Sequence, residues 1–156
     1  IEQQLAAFAR RDADSRRHQQ APGVGVLTAT AITASAGDLH RFVSGRHFAA
    51  WLGLTPREHS SGRSRKLGSI TKRGDPYLRT LLIHGARSVL NAALKRRKRG
   101  QALDRFQSWA LEVAERRGHN KAAAALANKI ARRLWAMTRD GKPFDGDHVS
   151  KMPAMS

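Results

Sequence analysis

The sequence predicts a mainly all-α fold: a helix-hairpin-helix element, then a helical bundle, with a long Gly/Ser/basic loop or small β-hairpin near residues 53–73. Three observations carry that prediction. Apolar residues recur at three- and four-residue spacing through most of the second half. Glycines and an Asp-Pro pair punctuate those stretches where helices should stop and start. Only Gly53 to Arg73 lacks helical periodicity, and it is rich in glycine and serine.

Ile1, Leu5 and Phe8 lie at helical spacing, and helix formers continue to about Gln19. The chain opens inside that pattern without a methionine. This reads as a fragment, with residues 1–20 as the end of a long connecting helix. Pro22 stops the pattern, and Pro22-Gly23-Val24-Gly25 leads into a short helix over Val26–Ser35 closed by Gly37-Asp38. Ser44 is placed to cap another short helix through Trp51, with Phe48 and Trp51 on its apolar side. Asp75-Pro76 combines an N-cap with proline at the first helical position. From there Leu78, Leu81, Leu82, Ala86, Val89 and Leu90 form a core stripe that ends before Gly100. Leu103, Phe106, Ala110 and Val113 mark a second helix, broken at Gly118-His119-Asn120. A third starts at Lys121 with Leu126, Ile130, Leu134 and Met137. Trp51, Trp109 and Trp135 fall at apolar positions and are assigned to the core. His84 and His119 lack partners at metal-ligand spacing, so helical or capping roles fit them better. The expected domain is 21–139, followed by a flexible tail over 140–156.

Charge points to the partner. The chain of 156 residues carries 29 Lys and Arg against 12 Asp and Glu, a formal net charge of +17. Residues 1–40 are neutral overall, whereas 41–99 hold fifteen basic side chains and two acidic ones. Such concentration predicts a polyanion. There is no cysteine, which excludes disulfides, thiolate chemistry and cysteine-based zinc sites and fits a cytoplasmic protein. No apolar run approaches membrane-spanning length, so no membrane partner is expected.

Two motifs bear on chemistry. In Pro22-Gly23-Val24-Gly25, Gly23 and Gly25 allow a tight turn whose backbone N–H groups, with the next helix N-terminus, can face a phosphate. The competing reading is an αα-turn that needs glycine for geometry alone. In His59-Ser60-Ser61-Gly62, paired hydroxyls sit among Arg57, Arg63, Arg65, Lys66, Lys72, Arg73 and Arg79. A serine attacking phosphorus needs a base or strong electrostatic help, and these cations can hold the phosphate oxygens. In an extended segment His59 and Ser61 share a side, making His59 a candidate base. By composition alone, a polar turn in a basic nucleic-acid groove, with no covalent step, is the stronger reading. Lys95-Arg96-Arg97-Lys98-Arg99 suits either phosphates or a helix C-terminus. Asp145-Gly146-Asp147-His148 reads as a solvated linker, leaving no metal site in the chain.

From Pro22 to about Arg87 the chain resembles the C-terminal transposase domain of the insertion-sequence DEDD transposases, the bridge-RNA-guided IS-one-ten family. The landmarks are Pro22-Gly23-x-Gly25, Phe42, Ala50-Trp51-Leu52-Gly53-Leu54-x-Pro56, Ser61-Gly62, Gly68-x-Ile70-x-Lys72-x-Gly74 and Leu78-Arg79. The resemblance implies that Ser61, or Ser60 beside it, attacks a DNA phosphodiester. It further implies an N-terminal RuvC-like domain, absent from this chain, that binds divalent metal. DNA, a guide RNA and a homo-oligomer assembled on DNA are the implied partners. The expectation is a transposase domain inactive as an isolated fragment. A non-catalytic basic module for DNA or RNA is the alternative.

Overall fold

The computed structural model describes residues 1–4, 12–61, 64–72 and 74–148, with 57–61 and 64–68 described as backbone only. Among these residues the elements run α1 (Ala13–His18), α2 (Val26–Ala36), a 3₁₀ turn (Leu39–Arg41), α3 (Gly45–Trp51), β1 (Pro56–Ser61), β2 (Ser64–Ile70), α4 (Pro76–Lys98), α5 (Arg105–Arg117) and α6 (His119–Asp140). The mainly helical class holds, and the segment near 53–73 is the hairpin. Residue 8 and its neighbours lie outside the described residues. The single helix expected over 1–20 is nevertheless interrupted. Asp12 is extended, and its carboxylate accepts the Asp14 N–H, starting a new helix at Ala13.

Helix α6 is the axis of the molecule, packing against α4, α5, α3, α1 and the 3₁₀ turn. Its buried face alternates Ala122, Ala123, Ala127 and Ala131 with Leu126, Ile130, Leu134 and Met137. The alanines let neighbouring helices approach, while the larger residues fill the space between them. The predicted stripe of α4 is buried at Leu78, Leu82, Ala86, Val89 and Leu90, whereas Leu81 is only half-buried. Asp75 caps α4 by accepting the Tyr77 and Leu78 N–H groups. Asp104 and Gln107 form a reciprocal capping box on α5. Gly118 alone separates α5 from α6, so α6 begins at His119 rather than Lys121. The three tryptophans are half-buried against the core. Trp135 also donates its indole N–H to the Phe42 carbonyl at 3.0 Å.

Two contacts fix the first half onto the bundle. Gly23, at φ +77°, touches Gly85 backbone to backbone: a Cβ at residue 85 would lie 2.0 Å from the Gly23 oxygen. At the end of α1, His18 is 1% exposed and bonds Thr138 of α6 at 2.8 Å. Thr138 already donates to the Leu134 carbonyl, so His18 Nε2 must be the protonated nitrogen. Its Nδ1 is buried without a partner, and burial lowers the pKa of His18 to about 4.

The tail corrects an expectation. Residues 141–148 are not a loose linker but fold back over the start of α5. Phe144 packs edge-on against Phe106, the Gly146 carbonyl accepts the Phe106 N–H at 2.9 Å, and Asp147 accepts the Arg105 N–H at 3.1 Å. The Asp147 carboxylate is used at a helix N-terminus, where orphan N–H groups and the helix dipole favour negative charge, while Asp145 accepts the Asp147 N–H. Residues 149–156 lie outside the description.

Candidate functional site

The serines belong to an antiparallel ribbon whose backbone register pairs His59 with Lys66, Ser60 with Arg65 and Ser61 with Ser64. Ser61 and Ser64 therefore flank the turn, and Ser60–Ser61 stand at the far end of the ribbon. Period-two alternation puts positions 59, 61, 64 and 66 on one face and 58, 60, 65 and 67 on the other. Ile70, at the root end of the ribbon, packs against the core, and the serines lie at the opposite end.

Its root is rigid. Leu52 and Leu54 are buried in the core. Asn128 of α6 donates to the Leu54 carbonyl at 3.0 Å, and the Thr71 and Lys72 N–H groups bond the Thr55 and Gly53 carbonyls, each at 3.0 Å. Lys72 adopts φ +56°, a left-handed conformation costing roughly 1–2 kcal/mol for an L-residue with a side chain. Its hydrogen bond to Gly53 holds it there. Gly74, at φ +112°, admits no side chain, since a Cβ would lie 1.9 Å from the Trp51 oxygen. Pairing of the strands is irregular between Pro56 and Glu58.

Of the predicted cations, Lys72 is exposed and Arg79 is half-buried, donating to the Leu52 carbonyl at 3.4 Å. The side chains of Arg57, His59, Ser60, Ser61, Arg65 and Lys66, and the whole of Arg63 and Arg73, lie outside the described residues. At the other motif, Gly25 is exposed with open space around it and precedes α2, which has no side-chain cap. Gly23 is accounted for by its seat against Gly85. In the run Lys95–Arg99, Arg96 caps the Ala102 carbonyl and Arg97 pairs with Glu115. No group of three or more candidate metal ligands occurs among the described residues, and no described helix is long and apolar enough to cross a membrane.

Sequence reasoning missed several residues. Asn128 sat inside an apolar pattern, where a polar residue is the available signal. Arg41 lies 4.4 Å over the Phe42 ring and 5.3 Å from that of Trp51, bracing the aromatic group before the ribbon. Arg46 and Arg132 form a second basic pair near the root, with Lys129 and Arg133 close by on α6. Burial lowers the pKa of Arg132, and the charge of Arg46 lowers it further.

Residues 15–101 match the model of the transposase IS116/IS110/IS902 family. The chain belongs to that family. It is 48% identical over 137 residues to a probable family 20 transposase of Pseudomonas aeruginosa, a match covering 88% of this chain and 39% of that protein. It is 46% identical over 136 residues to the transposase for insertion sequence element IS1111A of Coxiella burnetii, covering 87% and 36%. A pilin gene-inverting protein of Moraxella bovis is 31% identical over 127 residues, covering 80% and 36%. This transposase-family chain thus spans less than two fifths of the length of these relatives. The match takes in the ribbon, its root and the whole of α4.

Proposed function

We propose that this chain is the serine-bearing domain of an insertion-sequence transposase, with Ser61 as the nucleophile. The observation that carries the reading is the position of Ser60–Ser61 at the turn end of a ribbon whose root is tied to the core. A nucleophile there can reach a phosphorus atom inside a nucleic acid without the helical body colliding with it. The Ser61 oxygen attacks a DNA phosphodiester, a Ser–O–P bond forms, and one P–O bond to deoxyribose breaks. The departing oxygen takes a proton and leaves as a free hydroxyl. Because the phosphodiester count is unchanged, attack by another strand's hydroxyl reverses the step and rejoins DNA. His59, which alternation places on the Ser61 face, or a group from another part of the protein takes the serine proton.

Arg63, Arg65 and Lys66, nearest the serines in the chain, offset charge on the equatorial oxygens, while Arg57, Lys72, Arg73 and Arg79, towards the root, hold the flanking nucleic-acid backbone. The turn before α2, as a helix-hairpin-helix element, holds duplex backbone through the amides after Gly25, which no side chain caps. In this scheme the remaining protein supplies divalent metal, guide RNA binding and further contacts, a second copy completes strand exchange, and the setting is cytoplasmic.

The test is Ser61→Ala in the full-length protein. DNA binding should persist while cleavage and the covalent protein–DNA adduct disappear. Adduct mapped to Ser60 instead would move the nucleophile by one position. Normal cleavage with both serines replaced would leave a basic nucleic-acid-binding module without chemistry of its own.

A further inference from the structure

We propose that Arg46 and Arg132 form a phosphate-binding site beside the ribbon root, where a nucleic-acid backbone leaving the ribbon is gripped a second time. Backbone contact sets the geometry. Gly45, which opens α3, lies so close to α6 that a Cβ there would be 3.1 Å from both the Cα and the oxygen of Arg132. Two helices thus meet where each contributes an arginine, and both residues reach the surface although the Arg132 guanidinium is partly desolvated. Among the described residues neither guanidinium has a hydrogen bond or salt bridge, whereas Arg17, Arg97 and Arg139 each have a carboxylate.

The neighbours add positive charge. Lys129 and Arg133 lie one turn back and one residue on along α6. Arg132 and Arg133 both oppose the charge of Lys129, and Asp145 offsets Arg133 alone. Lys129 lies 3.9 Å over the Trp109 ring and Arg133 5.6 Å from that of Phe144, so these two add positive field while Arg46 and Arg132 are left to meet an anion. Guanidinium pairs favour phosphate, which accepts two parallel N–H bonds.

Continuity with the ribbon names the occupant. Asn128, whose side chain anchors Leu54, precedes Arg132 by four residues, about 6 Å along the helix axis. Positions 128 and 132 share a face. A strand engaged at the ribbon would meet this site on leaving its root. The inference rests on nucleic acid being the partner; it adds where the backbone is held.

The test is fluorescence anisotropy with a labelled DNA duplex, and separately an RNA hairpin, between 50 and 200 mM salt. Each duplex phosphate contact contributes roughly 0.9 to the log–log salt slope, so losing two should narrow the affinity change across that range about twelve-fold. That is the expected result for the Arg46→Gln/Arg132→Gln double variant. Arg46→Lys/Arg132→Lys should restore the salt slope, because charge returns, and Arg139→Gln should leave it unchanged. Narrowing with RNA only would make RNA the occupant of the same site. A folded double variant with wild-type slope on both polymers would overturn the site while leaving the partner intact. Wild-type protein binding neither polymer would overturn the partner and the site together.

Discussion

Gly85→Ala sets two known effects against each other. Gly85 lies inside α4, where replacing glycine by alanine ordinarily stabilises by about 0.5–1 kcal/mol. Here the new methyl would lie 2.0 Å from the Gly23 oxygen, 2.9 Å from its carbonyl carbon and 3.2 Å from its Cα. All three are backbone atoms, so no rotamer change relieves the clash. The Pro22–Gly25 turn would have to retreat by more than an ångström, loosening buried Ala21 and Val24. Overpacking of this kind costs about 1–3 kcal/mol and outweighs the helix gain at all but its lower end. A net loss of about 1–2 kcal/mol is expected, lowering Tm by roughly 2–8 °C in a domain of this size. Urea denaturation with thermal melts measures it. A variant more stable than wild type would show that the turn is not seated on α4, removing the structural account of Gly23.

His18 makes stability depend on pH. Its folded pKa lies near 4 against about 6.5 unfolded, so the unfolded chain binds the extra proton between those values. Its contribution is present above pH 6.5 and falls by up to about 3 kcal/mol as pH drops towards 4. Denaturation across that range should show the loss, and His18→Ala should flatten it; an equally steep profile in the variant would assign the dependence elsewhere. Phe144→Ala should destabilise the domain by about 1 kcal/mol through loss of the edge-on contact with Phe106. It should also speed amide exchange at Phe106, whose N–H is held by Gly146. Unchanged exchange would mean that the tail is not docked in solution.

The sequence alone determined what local rules encode. Helix spacing, the Asp75 and Ser44 caps and the glycine break at 118 are written in short windows, because side-chain period and orphan amides act over a few residues. The basic character and the Ser60–Ser61 motif were equally legible. Tertiary packing decided the rest. That Gly23 answers Gly85, His18 meets Thr138, Asn128 fastens the ribbon and Gly45 brings Arg46 beside Arg132 all depend on pairs far apart in the chain. Their energies come from approach distance and burial, which no local pattern records. The tail shows this most plainly: Asp147 looked like a solvated linker residue until the open end of α5 came within reach of it.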